Sequence, residues 1–294
     1  MIQAFLAYLL WGAFPLYFPL LQPAGPVEIL AHRFVWTLVV MAVILLVMRK
    51  WRELREASRR TWGIVAAAAF FIAVNWGVYV YAVNSGHIAE AALGYFINPL
   101  VSVLLGVIFL KERLSVLQKW SVGIAAIAVI VLTIGVGRPP VIALLLAFSF
   151  GFYGLMKKRV DLSATASLTA ESAIMTPLAI AYLAFLGAQG TGTFTAHGPG
   201  HALLLVSAGF ATAVPLLLFG IGAKKIPLST IGLMQYITPM MQMSIAIFIA
   251  GEHLEPARWI GYVIIWVAVA VFVADIVLRH GRNRRRRRAE RLGA

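Results

Sequence analysis

Ten apolar stretches recur along the chain, at roughly 2–22, 28–48, 62–82, 90–110, 120–136, 139–156, 165–186, 201–222, 229–250 and 259–279, each followed by a short polar or basic turn. At 1.5 Å of rise per residue, about 20 apolar residues cross the roughly 30 Å of bilayer hydrocarbon. The pattern therefore predicts an all-α polytopic membrane protein with ten transmembrane helices. The first stretch has no basic lead-in and no small-residue cleavage pattern, and it carries Trp11, Pro15 and Pro19. It reads as a retained span, not as a signal peptide.

Two of the stretches resemble each other. Residues 91–114 and 231–254 align without gaps at an offset of 140, pairing Leu93 with Leu233, Ile97 with Ile237, Pro99 with Pro239, Glu112 with Glu252 and Leu114 with Leu254. A proline inside a span and an acid at its end are both costly in lipid, so their shared register carries more weight than the five identities alone. Weaker matches point the same way: Leu9, Leu10, Phe14 and Tyr17 align with Leu145, Leu146, Phe150 and Tyr153 at an offset of 136. The fourth stretch thus pairs with the ninth, which implies two halves of five spans, 1–137 and 138–279. Five is odd, so the halves must be inverted. The basic tail, 280–294, is expected to be disordered and cytoplasmic.

Composition agrees with a membrane protein. The chain is 61% hydrophobic and 12% charged, against the roughly 45–50% apolar content of soluble domains, and its mean hydropathy is +0.89. With no cysteine, disulfides, thiolate metal sites and catalytic thiols are excluded. A net charge of +14 would fit nucleic acid if the cations formed a folded face, but they sit in short loops and the tail. Alternate loops divide them: of 25 Lys and Arg, 22 fall on one side, only Arg138 and Arg258 on the other, and Arg33 within a span. The positive-inside rule then places both termini in the cytoplasm. The arginine run 284–288 is read as a lipid-facing or disordered tail, with anionic lipid and no nucleic acid as its expected partner.

The stretches AHRFVWTLVV, NWGVYVYAVN, EAALGYFINPLVSVLLGVIFLKERL, LLLAFSFGFYGLMKKR and LSTIGLMQYITP resemble the RarD-like branch of the EamA-type drug/metabolite transporter superfamily. The resemblance implies a ten-helix permease of the bacterial inner membrane that carries small organic solutes, metabolites or drugs, with efflux as the expected direction. It says little about substrate. One departure is Lys111, which stands where the family commonly has glycine before the glutamate; Gly251 and Glu252 keep that pair in the second copy.

Polar side chains within spans are expensive, so each needs a partner or a task. Glu28, His32 and Trp36 step by four and share an arc of about 80° on one helix face, with Arg33 about 140° from Glu28. They read either as a substrate or proton site or as an interfacial ion-pair cluster. Glu171 holds the analogous place in the seventh span, as a site residue or as an acid at a helix start. Asn75 and Tyr79 in the third span, Tyr95 and Asn98 in the fourth, and Gln235 and Tyr236 in the ninth are candidates for a cavity wall. Thr238 and Gln242 extend the ninth-span stripe, with Met240, Met241 and Met243 around it. The alternative for these faces is helix packing through small and polar residues. His197 and His201 are read as solvated loop residues, since glycine and proline lie between them.

No nucleotide-binding loop, HExxH, GxSxG or GxGxxG motif occurs, so neither an enzyme nor a cofactor is expected. The reading is a secondary transporter for small molecules. A membrane enzyme acting on a lipid-linked substrate and a channel or scaffold stand as alternatives.

Overall fold

The computed structural model describes residues 1–85, 87–136, 140–249 and 256–292. Gly251, Glu252, Leu254 and Arg138 lie outside these residues, as do the side chains of Met243, Arg258 and the arginines of 284–288. The described chain is a series of helices: α1 (Ile2–Gly12), α2 (Phe14–Tyr17) with a 3-10 turn (Phe18–Leu21), α3 (Pro26–Val47), α4 (Trp51–Glu56), α5 (Arg59–Asn84), α6 (Ile88–Leu110), α7 (Val116–Val136), α8 (Val141–Arg159), α9 (Ala164–Ala188), α10 (Gly198–Lys225), α11 (Leu228–Met234), α12 (Ile237–Phe248) and α13 (Pro256–Leu292). Eight of them are long and apolar enough to cross a membrane, and α1 with the segment to Leu21, bent by 40°, makes up a ninth if counted as one crossing.

The predicted ninth span is not one helix. It breaks at Gln235 and Tyr236 between α11 and α12. Pro239, in the first turn of α12, lacks the N–H that would continue the ladder back to residue 235. Its counterpart Pro99 sits within α6, which stays unbroken. The stretch expected to be a disordered tail is also different, because α13 runs on as helix to Leu292.

Helix ends follow local rules. α3 opens with Gly25 as its cap, Pro26 in the first turn and Glu28 close behind, where an acid faces the positive end of the helix dipole. Ser163 caps α9 by accepting from the Ala166 N–H at 3.2 Å. α6 closes on Lys111, whose φ of 53° is left-handed; that conformation explains why glycine suits the position, having no Cβ to clash.

The main packing pairs are α6 with α8, α7 with α13, α3 with α9 and α10, α5 with α8 and α9, α6 with α11, and α1 with α10 and α12. Small residues let these helices approach closely. A Cβ on Gly209 would lie 2.4 Å from the Cβ of Trp36, and one on Gly222 2.9 Å from that of Ala4. Tyr8, Tyr153, Phe219 and Tyr236 are buried at the centre, while Val47, Ile134, Leu203 and Phe248 stand exposed on the outside. An apolar exterior of this kind is solvated by lipid.

Candidate functional site: a cavity between the two halves

A cavity of about 540 Å³ lies among α1, α2, α3, α5, α6, α8, α10 and the break between α11 and α12. It reaches the surface beside Gln22 and Pro26, both exposed. Its floor is aromatic: Tyr8, Trp11 and Phe150 line it, and behind them Trp11 packs on Phe219 at 5.6 Å and Tyr153 stacks on Phe219 at 5.9 Å.

Five of the ten residues singled out from sequence line this cavity: Asn75, Tyr79, Tyr95, Asn98 and Gln235. The Tyr79 and Tyr95 rings meet edge to face at 6.0 Å. Asn75 donates to the Leu146 carbonyl at 2.8 Å and to Ser149 Oγ at 3.0 Å, which fixes α5 against α8. Tyr8 Oη, Asn98 Oδ1 and Gln235 Oε1 have no hydrogen-bond partner among the described residues. A buried polar atom left unpaired costs about 1–3 kcal/mol, and all three belong to residues that line the cavity.

The other five lie elsewhere. Glu28, His32 and Trp36 do share one face, but that face holds the segment before α10. Glu28 accepts from the Thr193 N–H at 2.7 Å, His32 stacks on Phe194 at 4.9 Å, and Trp36 Nε1 donates to His32 Nδ1 at 3.3 Å. Glu171 is paired with Lys157 at 2.6 Å, both buried, with Ser167 Oγ at 2.5 Å and Tyr153 Oη at 3.2 Å completing its shell. Tyr236 is buried and donates to the Phe96 carbonyl at 3.3 Å.

Three residues stand where sequence reasoning did not place them. Arg33 lines the cavity, donating from Nε to Thr212 Oγ1 at 2.9 Å with its guanidinium 4.1 Å from the Trp76 ring centroid. The signal was there, since Arg33 is the one cation placed within a span. Lys157, counted as a loop charge, is 1% exposed. His201, read as a solvated loop residue, is buried in α10 and bonds Thr193 Oγ1 at 2.9 Å. Among the described residues no cluster of three or more His, Cys, Asp or Glu is arranged to hold a metal.

Away from the cavity mouth, polar bridges tie the helix ends together. Glu112, presented by the left-handed turn at Lys111, accepts from the N–H groups of Leu228 and Ser229 at 2.7 and 2.9 Å and from Ser229 Oγ at 2.7 Å. Lys158 donates to the Ile226 carbonyl at 2.6 Å, and Lys224 bonds the Leu162 carbonyl.

The pattern of the EamA-like transporter family fits this chain twice, at residues 1–134 and at 139–274. The chain belongs to the EamA-like transporter family. Relatives within or close to it are similar over nearly full length. A protein named RarD from Streptomyces exfoliatus is 48% identical over 97% of this chain and 91% of its own. An uncharacterized transporter, YojE, from Bacillus subtilis (strain 168) is 44% identical over 92% of both chains, and the RarD protein of Escherichia coli (strain K12) is 38% identical over 96% of both. A solved structure described only as the crystal structure of a protein shares the fold, with a TM-score of 0.68 over 92% of this chain and 96% of its own at 18% identity. The cavity thus lies in a multi-span membrane protein of a bacterial transporter family.

Proposed function

We propose that this EamA-family chain is a secondary transporter of the bacterial inner membrane. It moves small organic solutes outward by alternating access, as two inverted five-helix halves, 1–137 and 138–279, rock about the cavity. The observation that carries this reading is the cavity itself: both halves line it, it is open at one end and floored by aromatic rings at the other, and the α11–α12 break sits on its wall. Broken helices at a repeat interface are where transporters place substrate sites.

The packing supports an exchange of halves. Counting spans, α3 with α10 has its counterpart in α5 with α9, α5 with α8 in α10 with α1, and α6 with α8 in α12 with α1. Equivalent residues also meet alike. Val101 and Met241, 140 apart, each press on a glycine of the opposite half: Gly151 at 2.8 Å and Gly12 at 2.7 Å for a Cβ placed there. Tyr236 bonds the carbonyl of Phe96, its own equivalent at that offset.

In this reading Asn75, Tyr79, Tyr95, Asn98 and Gln235 contact substrate. Glu28, His32, Trp36, Glu171 and Tyr236 frame the moving helices. The mouth at Gln22 and Pro26 is the external side, both termini are cytoplasmic, and the arginines of 284–288 hold anionic lipid at about 1 kcal/mol per residue.

The test uses the absence of cysteine. Single replacements Ser85→Cys and Lys225→Cys label from opposite faces of sealed vesicles if the halves are inverted, and proteoliposomes show saturable counterflow. Labelling of both from one face breaks the inverted arrangement, and non-saturating flux replaces the transporter with a channel.

A further inference from the structure

We infer that the cavity selects a small organic monoanion with a flat apolar body, its carboxylate received by Arg33. The inference deepens the transport reading by naming what is carried.

Among the described residues of the cavity lining, Arg33 is the only charged side chain; they include no Asp, Glu, Lys or His. A full charge within a span is expensive, and this one is only partly compensated. Its Nε bonds Thr212, and the Trp76 and Phe18 rings lie 4.1 and 5.5 Å from its centre. No carboxylate lies within 4.0 Å among the described residues. These contacts hold the guanidinium plane and leave its terminal amino groups without a described hydrogen-bond partner.

A planar guanidinium held in place with its fork unused matches a carboxylate, which takes two parallel N–H bonds from it. An ammonium finds no acid here, and the ring best placed to attract a cation, Trp76, is already covered by Arg33. Zwitterionic amino acids and cationic drugs therefore bind with one group unmatched, at the cost of an unpaired buried charge. The remaining walls set the body of the ligand: Trp11, Tyr79, Tyr95 and Phe150 offer flat apolar faces, and about 540 Å³ accommodates an acid of one or two rings.

Purified full-length protein is heated with matched probes: 3-phenylpropionate, its amide and the corresponding primary amine, then indole-3-acetate and its amide. Ligands that bind the folded state alone raise the unfolding midpoint. The acids are expected to stabilise at concentrations roughly tenfold to a hundredfold below their amides, with the amine weakest. Arg33→Gln removes the gap between acid and amide, and Arg33→Lys keeps a smaller gap.

Equal stabilisation by acid and amide, an acid preference that survives Arg33→Gln, or no shift by either acid at millimolar concentration overturns the inference. Because the acid–amide comparison is made in the unaltered protein, it stands even if a variant does not fold. Counterflow in proteoliposomes separates the two readings. Arg33-dependent acid binding without counterflow keeps the site and defeats the transporter; counterflow of neutral solutes with no acid preference does the reverse.

Discussion

Lys157 and Arg33 are both cations within apolar helices, and their surroundings are opposite. Lys157 is closed in with Glu171 at 2.6 Å and Ser167 at 2.9 Å, and Glu171 in turn receives Tyr153. Arg33 has one hydroxyl, three ring faces and an open cavity. A cation whose charge is answered within the protein holds helices together. A cation left half answered beside a cavity is free to answer a ligand. The two differ in how the rest of the chain meets them, which neither residue type nor depth in the membrane reveals.

The largest effect should come from breaking the closed pair. Lys157→Met strands the Glu171 charge and is expected to cost about 3–5 kcal/mol, read as a lower denaturation midpoint in detergent; adding Glu171→Leu should recover most of that loss. If the double variant is as unstable as the single one, the pair is not what holds α8 to α9. Next is Gly209→Ala, whose new Cβ collides with Trp36. It should cost about 1–3 kcal/mol by forcing α3 and α10 apart, seen in the same assay.

Arg33→Gln sharpens the contrast from the other side. Losing one hydrogen bond and a ring contact should cost only about 1 kcal/mol, far less than Lys157→Met, while the acid preference vanishes. A destabilisation as large as that of Lys157→Met would make Arg33 a structural residue and erase the comparison. The smallest effect is a gain. Lys111→Gly relieves the left-handed φ of 53° and should add up to about 1 kcal/mol, measured as a higher midpoint.

The two similar stretches, 91–114 and 231–254, have their own contrast. α6 keeps Pro99 inside an unbroken helix, whereas its counterpart splits into α11 and α12 before Pro239. Glu112 covers the start of α11 from the other half, so the broken copy begins on a bridge between halves. One sequence pattern has yielded two backbone states.

The same division runs through the site. Periodicity put Glu28, His32 and Trp36 on one face, and they share it, but nothing along α3 says that the face meets Thr193 and Phe194 in place of a cavity. Asn75, Asn98 and Gln235 were legible because amides in hydrocarbon are costly wherever they sit. Arg33 belonged to the same cluster, and its angle of about 140° from Glu28 turns it away from that face and towards Trp76 and Thr212. Lys157 was hidden by its place at a helix end, where lysines ordinarily reach water.

Hydropathy alone determined that this chain crosses a membrane many times, because lipid demands long apolar runs whatever lies inside them. Tertiary structure decided how each helix is rotated about its axis and which neighbour it meets. In water a polar face marks the outside of a helix; in lipid both faces are apolar, so the inward face leaves little trace until close packing and a few costly polar groups reveal it.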